Sequence, residues 1–203
     1  MSQESAPIDV MRLVHAAMAG SAERVEQEAD RLEEGSSLQP FRSAFNEWAT
    51  AFMYLAERED DLFSSHAGDH DSHDATPEDG AQMAMLAANK DEHREMDEKF
   101  QAVMDVLNVE IGRTSIIRRT QQHLFGSVLA LRIAQQDHIE NERAFVLPAL
   151  KQRFSSREQL DLVKELLVDG MSNDPRWVLD WMGQHLDTEE RATLAGFEEM
   201  LAS

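Results

Sequence analysis

His138-Ile139-Glu140-Asn141-Glu142 is the stretch on which the reading of this chain turns. It lies late in a run from about Ser115 to Leu147. That run and its tail place Leu124, Val128, Leu131, Gln135, His138, Glu142, Phe145 and Ala149 at alternating steps of three and four. Such spacing marks the inward stripe of a bundle helix. His138 and Glu142 are four apart, so on a helix they stand one above the other on that stripe. An imidazole and a carboxylate in an otherwise apolar line cost free energy unless something pairs with them. A metal ion is the first partner to consider, and the rest of the chain must then supply further ligands.

Three more segments do so. Pro7 and Asp9 open a helix to about Glu34, stopped at Gly35, with His15 in the line Ile8, Met11, His15, Met18, Ala22, Val25. A second helix reads Phe41, Phe45, Trp48, Phe52, Leu55, Glu59, Leu62 and places Glu59 on its apolar stripe. A third, from about Ala81 to Leu107, reads Leu86, Asn89, His93, Met96, Phe100, Val103, Leu107. Consecutive long helices joined by short connections alternate in direction. His15 near the start of the first, Glu59 near the end of the second, His93 in the first half of the third and Glu142 near the end of the fourth then fall at one depth. At about 1.5 Å rise per residue, all lie within roughly 10–20 Å of the same end. Imidazole and carboxylate donors without thiolate suit iron, manganese or zinc, and two carboxylates able to bridge argue for two ions.

The remaining segments are connectors and an appendage. Ser64 to Gly80, with His66, His70, His73 and Pro77, reads as a loop at the metal end: a solvated cover over the entrance, or a secondary cation site. Pro148 ends or kinks the fourth helix. Ser155-x-x-Glu158 is a capping box that opens a fifth helix to Asp169, and Pro175–Met182 and Asp187–Leu201 form two short ones. The expected fold is all-α: an up-down-up-down four-helix bundle over residues 5–154, with a C-terminal helical extension, 155–203, packed on it. Trp177 and Trp181 pin that extension to the bundle or serve a dimer contact. His185 is structural, and His123 lies too far along the fourth helix to join the cluster.

Composition narrows the function classes. The chain has 203 residues and no cysteine, so disulfides, thiolate metal sites and thiol nucleophiles are excluded. Its formal charge of -20 repels phosphate backbones and anionic lipid, which argues against nucleic-acid and membrane-surface roles. Neither a signal-peptide pattern nor a bilayer-length apolar run is present, so the expectation is a soluble cytoplasmic protein, a monomer or weak homodimer.

With His15, Glu59, His93 and His138-x-x-x-Glu142 on the page, the chain resembles the hemerythrin-like (HHE cation-binding) family over roughly residues 5 to 150. The family pattern is a histidine on helix one, HxxxE on helix two, a histidine on helix three and HxxxE on helix four. Glu59-Asp60-Asp61-Leu62-Phe63, Glu142-Arg143-Ala144-Phe145-Val146-Leu147-Pro148 and Glu92-His93 are similar to its flanking segments. A ferritin-like site would use Glu-x-x-His, and no histidine here has a glutamate three residues before it. The resemblance implies a non-haem di-iron centre, oxo- or hydroxo-bridged, ligated by His15, His93 and His138 and bridged by Glu59 and Glu142. It implies binding or turnover of a small oxidant: dioxygen, hydrogen peroxide or nitric oxide.

The chain departs from the pattern at Leu55, where the family has the histidine four before the glutamate. Two residues are candidates to replace it. Tyr54, the only tyrosine, either is a boundary residue with its hydroxyl in water or ligates iron as a phenolate, which favours peroxide or nitric oxide detoxification, catalase-like or peroxidase-like, over dioxygen transport. His66 continues the helix-two stripe about 10 Å further along. Asp97, one turn after His93, is either a further ligand or a solvated acid. The competing functions are an iron- or oxygen-responsive regulatory protein without turnover, and a bundle held by structural zinc.

Overall fold

A computed structural model describes residues 6–67, 77–109 and 117–202, with the side chains of 63–67, 77–79, 81–82 and 202 outside the description. Among the described residues the chain is helical, without strands. A 3-10 turn, Pro7–Val10, leads into α1, Met11–Asp30. Then follow α2 (Gln39–Ala67), α3 (Pro77–Val109) and α4 (Arg118–Asn141). A π-turn, Glu142–Val146, joins α4 to α5 (Leu147–Arg153). The chain finishes with α6 (Ser156–Leu167), α7 (Trp177–His185) and α8 (Thr188–Ala202).

The predicted apolar stripes face one another. α1 packs on α2 and α4, and α3 packs on the same two helices. The middle of this core is aromatic: Trp48 and Phe52 of α2 each lie 4.8 Å, ring to ring, from Phe100 of α3, and Trp48, Phe45 and Phe100 are fully buried. Burial of each such ring is worth on the order of 1.5–3 kcal/mol. The indole N–H of Trp48 donates to Oε1 of Gln135 at 2.6 Å, which satisfies both polar groups inside the core.

Four differences from the sequence expectation bear on the bundle. α1 stops at Asp30, short of Glu34. Leu32 turns back into the core, its carbonyl accepts from the Gln121 side chain, and Gly35 makes the turn at φ +90. Both ends of the expected Ser64–Gly80 loop are helical: α2 runs on to Ala67 and α3 starts at Pro77, where a proline suits the first helical position. Residues 68–76, and the side chains of His66, His70 and His73, lie outside the described residues, so the entrance cover and the secondary cation site do too.

The fourth difference concerns Pro148. It neither ends nor breaks the helix, which continues through it to Arg153. Its ring cannot donate a backbone hydrogen bond, and the chain widens by one residue just before it, with the Leu147 N–H reaching the Glu142 carbonyl. A π-turn inserts one residue into the helical count. Phe145, expected inside, is therefore 62% exposed, while Val146 and Leu150 are buried.

The C-terminal helices close over the same core. α6 packs on the 3-10 turn and α2, α7 on α1, and α8 touches the 3-10 turn. The capping box forms as read: Ser155 Oγ accepts from Glu158 N, and Ser155 N donates to Glu158 Oε2. α7 approaches α1 so closely at Gly20 that a Cβ there would stand 2.8 Å from the His185 carbonyl oxygen.

Candidate metal centre

The four helices α1–α4 each deliver ionisable side chains to one buried point. His15 (3% exposed), Glu59 (6%), His93 (4%), His138 (6%) and Glu142 (1%) all sit in the core. They line a cavity of about 30 Å3, completed by Gln135 and by apolar side chains of which Val14, Phe52, Leu55 and Ile139 are examples. Donor atoms of Glu59, His93 and His138 all lie within 4.8 Å of one another. His93 Nε2 is 3.3 Å from Glu59 Oε2 and 3.1 Å from His138 Nε2. On the other side of the cavity, His15 Nε2 is 2.7 Å from Glu142 Oε2, which stands 3.9 Å from His138 Nε2.

What turns the rings inward is a set of partners on their far sides. Nδ1 of His93 donates to Asp60 Oδ1 at 2.9 Å, and Nδ1 of His138 donates to Glu92 Oε2 at 2.8 Å. Glu92 is itself held by Asn141, whose amide donates to Oε1 at 2.8 Å. A carboxylate on Nδ1 fixes the tautomer and leaves the Nε2 lone pair for a cation, the usual arrangement at metal-bound histidines. Sequence reasoning assigned no role to Asp60 or Glu92. Each is the chain neighbour of a predicted ligand, which is the signal that marks them.

Two neutral imidazoles cannot present lone pairs to each other at 3.1 Å; a proton or a metal cation must lie between them. Without metal the proton is the answer. Burial alone would push the His93 pKa down, but its hydrogen bonds to Asp60 and Glu59, and their charges, outweigh that and raise it to about 10. The two buried carboxylates split. Burial, then the nearby Glu142 charge, pushes Glu59 up. Burial acts upward on Glu142 too, but the His15 hydrogen bond and the charges of His15, His138 and His93 hold it below the usual carboxylate range. Glu142 Oε1 is buried with no hydrogen-bond partner. An orphaned carboxylate oxygen beside three inward imidazole nitrogens is a donor set that fits a divalent cation.

Tyr54 is not brought to this cluster. Five residues before Glu59 on a helix is about 140° around the axis, off the inward face. The ring instead meets Trp177 of the C-terminal extension, 5.0 Å centroid to centroid, with the Arg58 guanidinium 5.3 Å from its centroid. Burial raises its pKa, the opposite of what a phenolate ligand needs. Leu55 occupies the place four before Glu59 and lines the cavity. Asp97 does not line the cavity either; it lines a groove between α2 and α3, with Asp60 and Lys90, that shares His93 and Phe52 with the cavity. His123 is exposed. His185 joins α7 to α2 through Glu47 at 3.3 Å, Trp181 is buried, and Trp177 donates to Asp169 at 3.0 Å.

No protein-family model matches the chain, and neither a curated protein nor a solved structure matches it significantly. Among the described residues no helix is long and apolar enough to cross a membrane.

Proposed function

We propose that this chain is a hemerythrin-like non-haem iron protein that binds or turns over a small oxidant: dioxygen, hydrogen peroxide or nitric oxide. In this reading α1–α4 form an up-down-up-down bundle. Support comes from the cross-links at the two ends of the helices: Glu59 and Asp60 meet His93 while Arg42 donates to the Leu107 carbonyl, and His15 meets Glu142 while Gln121 reaches Leu32. The observation that carries the proposal is the convergence of three imidazole nitrogens and two carboxylates, from four helices, on one buried cavity.

His15, His93 and His138 would hold iron through Nε2, with Glu59 and Glu142 as carboxylate ligands. Iron supplies an exchangeable electron and an open coordination position. The chain supplies the rest. Asp60 and Glu92 fix the rings, and the apolar lining keeps bulk water from competing. A cavity of about 30 Å3 has room for about two water-sized molecules, which suits diatomic and peroxide-sized ligands better than organic substrates. With the Tyr54 ring against Trp177 and Arg58, no phenolate favours ferric iron, and detoxification and transport both fit the site.

The test is metal content and optical spectrum of protein purified from iron-supplemented cells, before and after adding peroxide, dioxygen or nitric oxide. Bound iron whose spectrum changes with one of these supports the proposal. Protein that takes up no iron, or whose bound iron gives a spectrum unchanged by all three and kept by alanine at both His138 and Glu142, overturns it.

A further inference from the structure

The two halves of the cluster are built differently. Glu59, His93 and His138 form a set whose donor atoms lie within 4.8 Å of one another. Both rings in it have Nδ1 on a carboxylate, so both Nε2 lone pairs are presented inward. Two imidazoles and one carboxylate, with the remaining positions open, is a donor set that ferrous iron accepts.

The other half is His15 and Glu142, and it is short of a ligand. The inward face of α4 carries the pair His138–Glu142; the matching positions on α2 are Leu55 and Glu59. Leu55 is 2% exposed and lines the cavity, so a methyl-tipped side chain fills the spot where a second imidazole would project. His15 is also wired in the opposite sense to the other two. Its Nδ1 faces the guanidinium Nε of Arg143 at 3.3 Å, and arginine only donates. The Nδ1 lone pair is therefore used by Arg143, and the ring proton sits on Nε2, where it is donated to Glu142 at 2.7 Å. To ligate through Nε2, His15 must change tautomer and give up Arg143.

We infer that the centre is unequal: Glu59, His93 and His138 bind one divalent ion tightly, and His15 with Glu142 binds a second only weakly and exchangeably. This rests on the metal-centre reading above. Loss of even an outer partner of a ligand costs about 10–100-fold in affinity, and this half lacks a ligand and starts from the wrong tautomer. The second ion is therefore expected to bind at least about 100-fold more weakly than the first.

Chelator-stripped full-length protein is titrated with cobalt(II) and, anaerobically, with iron(II), following the metal's visible bands and the heat of binding. The expected result is one tight equivalent that survives desalting and a second seen only with excess metal. His15→Gln removes the weak event and spares the tight one; His93→Gln removes the tight one. Leu55→His strengthens the second event at least tenfold. Two equivalents of equal affinity, or a tight event lost with His15→Gln and kept with His93→Gln, overturn the inference while leaving a metal centre in place. No binding of either metal overturns the metal-centre reading and this inference together.

Discussion

His93 and His138 point their Nε2 atoms at each other across 3.1 Å, and each ring is pinned from behind by a carboxylate of α2 or α3. That single relationship makes the cluster electrostatically incomplete unless a proton or a cation is shared between them.

Filling the site with metal should therefore stabilise the fold. The ligands come from four helices, so binding to the folded state at about 100 times Kd adds about 2.7 kcal/mol, and for a chain of this size Tm should rise by about 5–10 °C. Thermal melts with and without EDTA, followed by iron(II) or cobalt(II) readdition, measure it. Identical melts would contradict the prediction.

The pinning carboxylates should matter nearly as much as the ligands. Asp60→Asn and Glu92→Gln each keep the shape but weaken the hold on Nδ1. Each is expected to lower metal affinity by about 10–100-fold, with the helical circular dichroism unchanged. Competition against a chromophoric chelator reads the affinity directly.

Metal-free protein should lose stability on the alkaline side. The His93 pKa is raised in the fold to about 10, from 6.5. Its contribution is fully present below pH 6.5 and is lost as pH rises through about 10. Glu142 is lowered from 4.5, so its contribution is present above pH 4.5 and is lost as pH falls through its folded value. Urea unfolding in EDTA across this range should show both limbs, and His93→Gln should flatten the alkaline one.

Tyr54→Phe should leave metal content and the optical spectrum untouched, since the ring lies against Trp177 and Arg58. Its effect on stability should stay within about 1 kcal/mol. A lost visible band would return Tyr54 to the ligand set.

Gly20→Ala should loosen the C-terminal extension. The added methyl meets a backbone carbonyl 2.8 Å away, in a helix end rather than a flexible side chain. Overpacking of this kind costs about 1–3 kcal/mol. Faster proteolysis of the segment after Arg153, with metal affinity preserved, is the expected signature.

Much of this site could be read from the sequence because helical periodicity reports which face a residue occupies. His15, Glu59, His93, His138 and Glu142 each stand where an apolar residue belongs, and that anomaly survives without coordinates. Tyr54 was misplaced because spacing says nothing about a distant segment arriving from outside; Trp177 takes that ring. Phe145 was misplaced because the stripe was extended at α-helical spacing through a turn that is wider. Pro148 was the visible clue, but a proline alone does not say whether a helix stops, bends or gains a residue. The tautomer of His15 depends on Arg143, next to Glu142 in sequence, and only the folded geometry shows that the guanidinium reaches back to the ring.

The widened turn after Glu142 also sets how the chain tolerates length changes. Each residue advances a helix by about 100°, so excising one residue between Arg143 and Val146 would restore ordinary winding. Val146 and Leu150 would then stand about 60° and about 20° from the direction of Glu142, so both would stay inward and Lys151 would keep its place at Asp9, which it now grips at 2.8 Å. A single-codon deletion there would therefore spare both the proposed ligands and the latch on the amino-terminal turn, whereas one in the ordinarily wound α5 would turn the residues after it by about 100°.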